Sequence, residues 1–410
     1  GYNSNSALVP PLRFNDDLTT QGPPRSQIVV DDGVAYITAG NFLYAYDLAA
    51  QNELWRINLG QLRGCTPTIK AGRIYVGTNY GHNTYYCISK DGVIIWQTPL
   101  RRIGTSAGLA VDTQNVFINS EADGRMYVLD AADGSIVIPA VVDSSYYTRA
   151  IGFLNTGIVG PAATGGNSKP AIWNDYVIYA GVLGRIAAYH RQTLTQVWSR
   201  NLGLLAGILD SPCIMNDRIY LGGAIHAFCL NASDGSLVWQ RLLGLRCTTP
   251  AALPGRVILG SGTELVALND ETGAIVWRNG SAPYSTPAIA GDYVYAVNAH
   301  PQIGLQAFNI ETGEIVWTAN QRTNSYFRDC GPTIAYGKVL VPDSQGAAML
   351  IYGSPTASMP RLIPPFTKED YEAAMADEDT YTPKKPKSHH WRKKHIFARF
   401  FKHWLIQAFG

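Results

Sequence analysis

Charge is scarce in this chain. Only 16 % of its residues are Asp, Glu, Lys or Arg, and the two signs nearly cancel to a formal +2. A body of that kind carries no electrostatic footprint for nucleic acid. Long apolar runs are missing as well: no stretch approaches the roughly 20 residues that a membrane-spanning helix needs. The six cysteines never stand side by side, and their spacing matches no tight zinc-ligand pattern. A nucleophile elbow, a phosphate loop and a zinc-binding helix motif are also absent, so neither a metal nor a cofactor is expected. The chain opens GYNSNSALVPP, with no initiating Met and no signal sequence. That opening is expected of a mature chain whose leader has been removed. Export to the cell envelope, periplasmic or extracellular, is the corresponding expectation.

Glycine and aromatics are plentiful instead. The 40 glycines, 23 tyrosines and 46 % hydrophobic content fit many turns and half-buried strands. Six tryptophans close the same short phrase: AYDLAAQNELW at Trp55, CISKDGVIIW at Trp96, AYHRQTLTQVW at Trp198, CLNASDGSLVW at Trp239, ALNDETGAIVW at Trp277 and AFNIETGEIVW at Trp317. A seventh copy, VLDAADGSIVI, has Ile138 in that position. Successive markers lie 41, 42, 60, 41, 38 and 40 residues apart. A period near 40 is that of one four-stranded blade of a β-propeller.

Each repeat supports that reading. Two β-branched runs separated by a turn, as in IVVDDGVAYITAG or CIMNDRIYLGG, predict a hairpin. A third strand follows and ends in Asp or Asn, before a Gly turn such as AADGS or ETGEI. The fourth strand carries the tryptophan, whose broad faces suit the wedge between neighbouring blades. Trp55, Trp96, Trp198, Trp239, Trp277 and Trp317 are therefore read as structural.

After Trp317 the segment GPTIAYGKVLVPDSQGAAMLIYG supplies three strands without a fourth, while PPLRFNDDL stands near the N-terminus with Leu12 one period before Trp55. Pairing residues near 8–16 with residues near 330–353 closes a ring of eight blades; the alternative is seven, with the terminal strands as decoration. The long interval holds an insertion of about 18 residues within 144–170. Tyr146, Tyr147 and Arg149 are its candidate contact residues if the loop is more than decoration.

Cysteines at equivalent positions of separated blades do not meet within disulfide distance. Cys87 and Cys229 share a slot of the third strand, three blades apart; Cys65, Cys247 and Cys330 precede the inner strands of blades 2, 6 and 8. Mostly free thiols are expected, with Cys87 and Cys229 acting as small buried hydrophobes.

The domain reading is a propeller over 1–357, a Pro- and acid-rich linker with a short helix over 358–383, and a basic amphipathic tail over 384–410. From Lys384 to Gly410 there are eight Lys/Arg and no Asp or Glu. At helical spacing Phe397, Phe400, Phe401, Trp404 and Leu405 share one face, with Arg399 off it. With Trp391, Arg392, Lys393 and Lys394 these are the candidate partner-binding residues. Such a segment suits a protein groove, a membrane surface, the propeller's own surface or, least well, nucleic acid. His389, His390, His395 and His403 are read as solvated rather than as metal ligands.

The strand end, the Asp/Thr-Gly turn and the Leu/Val-Trp strand, as in ASDGSLVW and ETGEIVW, resemble the PQQ-like β-propeller repeat of quinoprotein dehydrogenases and the BamB-type outer-membrane scaffold. The resemblance covers about residues 8–357. For the enzymes it implies an adjacent cysteine pair over the quinone and a Glu, Asn and Asp set on Ca²⁺; the chain has no adjacent cysteines. For the scaffold it implies an N-terminal lipidated cysteine, whereas the first cysteine here is Cys65. The expected function is a non-catalytic scaffold or structural subunit for protein–protein interaction in an envelope-associated or extracellular assembly, tethered by its tail. The alternatives are a PQQ-dependent quinoprotein dehydrogenase and a virion or appendage component.

Overall fold

A computed structural model describes residues 2–3 and 8–353, except 63, 79–83, 101–108, 121–124, 143–167, 182–183, 204–205, 208–209, 245, 281–283, 299–303, 320–329 and 345. The loop candidates Tyr146, Tyr147 and Arg149, the 358–383 linker and the whole 384–410 tail lie outside the described residues.

Eight antiparallel blades follow one another around the ring, each with four strands from the inner edge to the outer. Blade 1 runs Val29–Asp31, Val34–Ala39, Phe42–Asp47 and Asn52–Asn58, and blades 2 to 7 repeat this order. Blade 8 takes Thr333–Ala335, Lys338–Asp343 and Ala348–Gly353 from the end of the repeat region and Arg13–Thr19 from its start. The ring is therefore closed inside a blade, as the sequence predicts. The position of the closing strand is corrected, however. It begins after Leu12, and the slot equivalent to the tryptophans falls on Asp16, opposite Ile351.

The apolar core lies between blades rather than within them. Each of the eight seams has its own cluster: Ile74 and Val76 meet Leu43 and Ala45 at the first, and Val339 and Val341 meet Val297 and Leu305 at the seventh. Strands of alternating polarity have two faces, and the middle strands of each blade bury both because a neighbour covers each side. Leu340, Met349 and Ile351 pack against Ile37 and Tyr44 where blade 8 meets blade 1.

The tryptophans fill these seams as expected. The indole N–H of Trp55, Trp96, Trp198, Trp239 and Trp277 donates to the backbone carbonyl of Lys90, Ala131, Ala232, Asp270 and Ile310, each in the turn of the next blade. The ring lies on the turn glycine. A Cβ on Gly235 (φ 67°) would sit 2.4 Å from Trp198, and one on Gly313 2.4 Å from Trp277. Two residues beyond the tryptophan a second donor reaches the same turn: Arg200 and Arg241 bond the Gly235 and Gly273 carbonyls at 3.1 and 2.7 Å.

Trp317 faces the split blade 8, which has no such turn, and packs on Tyr352 instead; the two slots without tryptophan show what the glycine is for. Blade 3 has Ile138 in the slot, opposite Val128, and the next turn carries Leu194 in place of glycine. Blade 8 has Asp16, and the next turn carries Gln51. Leu194 and Gln51 keep the left-handed backbone of the glycines (φ 52° and 57°). Glycine is thus required by the indole face rather than by the turn alone.

Candidate interaction surfaces

Besides the two loop-bearing faces, the inner wall of the ring and its outer rim remain once the seams are assigned. The inner strands are only two or three residues long, and successive ones touch around the channel. Just ahead of four of them, a small polar residue ties the strand down. Ser26, Ser168, Thr248 and Ser285 each bond the backbone twelve residues later in their own blade. Gln27 does the same work between blades. Its amide nitrogen donates to Gly331 O, Pro332 O and Thr333 Oγ1 at 3.0, 3.2 and 2.7 Å, and its oxygen accepts from Gly331 N–H at 3.0 Å. Cys330 Sγ donates to Arg25 O across the same seam.

The inner edge of blade 7 also carries a fifth strand. Tyr2–Asn3 pairs in parallel with Ala288–Ala290, Tyr2 opposite Ile289 and Asn3 opposite Ala290. Sequence reading gave no strand there.

Lys169 stands ahead of the inner strand of blade 4, its backbone N–H bonded to Ser211 Oγ at 2.8 Å. By accessible area Lys169 is half-buried, yet protein surrounds its amine closely; the second property governs the charge. Burial holds its pKa down to about 8, against an ordinary 10.5. A depressed lysine pKa opposes folding fully below the folded value, and the opposition fades as pH rises from 8 past 10.5, where the amine is neutral in both states. Lys169→Met should therefore raise stability by about 1–2 kcal/mol at pH 7, a gain that shrinks toward zero by pH 10.5. Urea titrations of both proteins across that range would show it, and a gain independent of pH would sink it.

The thiols behave as the sequence predicts. All six cysteines are free, and Cys87 and Cys229 are fully buried opposite Trp96 and Trp239. Burial raises Cys65 and Cys229 to about 12 and Cys247 to about 11, away from the thiolate form that reacts or binds metal. The acidic residues of the repeats are engaged in turns. Asp47 Oδ1 accepts from Ala49 and Ala50 N–H, and Asp234 Oδ1 from Ser236 N–H. No cluster of three or more metal-ligating side chains forms among the described residues.

The rim was not legible in the sequence. Every outer strand has a β-bulge beside its tryptophan slot, between Ala267 and Leu268 of the partner strand in blade 6 and between Ala307 and Phe308 in blade 7. A bulge breaks the period-2 alternation. In four blades two successive apolar residues then face outward just before the slot: Ile94 and Ile95, Ile136 and Val137, Ile275 and Val276, Ile315 and Val316.

With this geometry in view, the comparisons decide the family. The profile of the outer membrane protein assembly factor BamB matches residues 15–166 and 254–352. The chain belongs to the BamB family. Among its relatives is Protein Rv3035 of Mycobacterium tuberculosis, 26 % identical over 219 residues, which are 48 % of this chain and 52 % of that one. The match thus spans about half of that relative's length. Among solved structures, BamB from Moraxella catarrhalis superposes with a TM-score of 0.66 at 18 % identity, covering 83 % of this chain and 99 % of its own. Quinohemoprotein alcohol dehydrogenase from Comamonas testosteroni gives 0.63 at 14 %, covering 86 % and 78 %. Both likenesses are of the propeller fold. In this BamB family member the repeat is broken locally, with Ile138 and Asp16 in tryptophan slots.

Proposed function

We propose that this chain is a non-catalytic propeller scaffold that holds protein subunits together at the cell envelope, with its C-terminal tail as tether. The observation that carries the reading is how the repeat's polar groups are used. Turn carboxylates cap backbone N–H groups, tryptophan and arginine donors bridge blades, and the thiols are buried with raised pKa values. Membership in a family described as an outer membrane assembly factor supports the same reading. A stiff disc with two loop-bearing faces suits docking of several partners at once.

The fold likeness to a quinohemoprotein dehydrogenase raises the second reading, a quinone enzyme. The residues present do not fit it: the resemblance implies adjacent cysteines, whereas Cys65, Cys247 and Cys330 stand singly in three blades. The decisive experiment is affinity capture of the full-length chain from gently solubilised native extract, beside a Phe400→Ser/Trp404→Ser variant. Partner proteins should come down with the parent and fall at least fivefold with the variant. The purified chain should reduce no dye with quinone and Ca²⁺ supplied. Dye reduction, or capture of nothing specific, would overturn the scaffold reading. The recovered proteins also distinguish an envelope complex from a virion or appendage.

A further inference from the structure

We propose that the basic aromatic tail of this chain folds back within the same molecule and docks on the outer rim of blades 6 and 7. On that rim Ile275 and Val276 are each 40 % exposed, Ile315 43 % and Val316 46 %, an apolar pair on each of two neighbouring outer strands. The turns beside these pairs are acidic. Blade 6 contributes Asp270 and Glu271, and blade 7 contributes Glu311 and Glu314, with no Lys or Arg in either turn. The nearby guanidinium groups are engaged: Arg241 with the Gly273 carbonyl at 2.7 Å, Arg278 with Glu264 at 3.0 Å, and Arg256 with Glu311, so that last carboxylate already holds a cation. Blade 3 also pairs an acidic turn, Asp130 and Asp133, with exposed Ile136 and Val137, but its neighbours carry cations, Lys90 beside Asp91 in blade 2 and Arg191 with no acid in blade 4; blades 6 and 7 place two doubly acidic turns side by side.

The occupant follows from charge and from where the described chain ends. Residues 384–410 carry eight Lys/Arg and no acid, flanking an apolar face of Phe397, Phe400, Phe401, Trp404 and Leu405. Aromatic anchors over the paired Ile and Val, with cations over the acidic turns, make the complementary match. The last described strand, Ala348–Gly353, lies in blade 8, next to blade 7. The 30 residues 354–383 between it and the tail reach at most about 100 Å, ample for a neighbouring blade. A flexible link of that length gives an effective concentration on the order of millimolar, so docking in the same molecule prevails over docking on a second copy at ordinary protein concentrations. Docking uses the aromatic face that the tether reading gives to a partner, so the two compete for it: cross-links in the purified chain test docking, and partner capture from extract tests the tether separately.

The test is zero-length carbodiimide cross-linking of the full-length chain, with mass spectrometry of the monomeric fraction. Links are expected from Lys393, Lys394 and Lys402 to Glu271, Glu311 and Glu314. They should fall at least fivefold in Val276→Ser/Val316→Ser, which leaves every reacting group in place, and in 0.5 M salt. The tail variant Phe400→Ser/Trp404→Ser should give the same loss without touching the propeller. Links confined to covalent dimers would assign the rim to a second copy. Links spread over other blades, or none from the tail, would equally overturn the proposal.

Discussion

Gly235→Leu should cost this propeller several kcal/mol, and much of that cost should disappear when Trp198 becomes Ile in the same chain. The single change places a branched side chain where even a Cβ lies 2.4 Å from the indole. Overpacking of that kind costs about 1–3 kcal/mol, and the left-handed backbone at φ 67° adds about 1 kcal/mol for a residue with a Cβ. Trp198→Ile alone should cost about 3 kcal/mol by opening the wedge. Together they recreate the natural pairing of blades 3 and 4, where Ile138 stands in the slot and Leu194 (φ 52°) in the turn. The double variant should therefore be about 2–3 kcal/mol more stable than the sum of the singles predicts. Urea denaturation of the four proteins measures this coupling, and strictly additive costs would show that the glycine is there for the turn alone.

Gln27→Ala should have the next largest effect, about 2–4 kcal/mol. Its amide makes four bonds to residues 331–333, while the other two side-chain bonds across that seam, Cys330 to Arg25 O and Thr333 to Ile28 O, are single ones. Removal leaves Gly331 N–H and two carbonyls short of partners in a half-buried seam. The loss should be local before it is global: amide exchange at Thr333–Ala335 and Arg13–Thr19 should quicken before that of blades 3 to 6. Gln27→Glu offers a control, because a carboxylate facing the Gly331 and Pro332 carbonyls repels them. Its defect should ease as acidification protonates the new group, and an unchanged exchange pattern in both variants would remove Gln27 from the closure.

These two seams mark where sequence reading succeeds and where it stops. The tryptophan period predicts the blades, their number and a closing strand near the N-terminus, because a large apolar ring at fixed intervals has one efficient use. The exact closing strand was misplaced, since Leu12 keeps the spacing while the bulge beside Asp16 sets the register. The outward Ile–Val pairs are invisible for the same reason: alternation predicts one of each pair inside, and a bulge turns both out. Gln27 and Lys169 are single polar letters with no motif around them. The role of Gln27 arises from contacts across 304 residues and that of Lys169 from its burial, which no local pattern records. Tyr146, Tyr147, Arg149 and the tail residues from Trp391 to Leu405 are read from sequence alone.

Placing each apolar core between blades has a consequence for how the molecule holds together. No blade owns an interior, so the smallest piece with a complete one is a neighbouring pair. An open stack of repeats needs special end pieces to hide its two bare faces; a circle has no ends and needs none. Loosening one seam uncovers only the two faces that met there, and the remaining seven seams still hold the circumference. The disc thus tolerates odd members such as blade 3, with its Ile138, and blade 8, with its split chain.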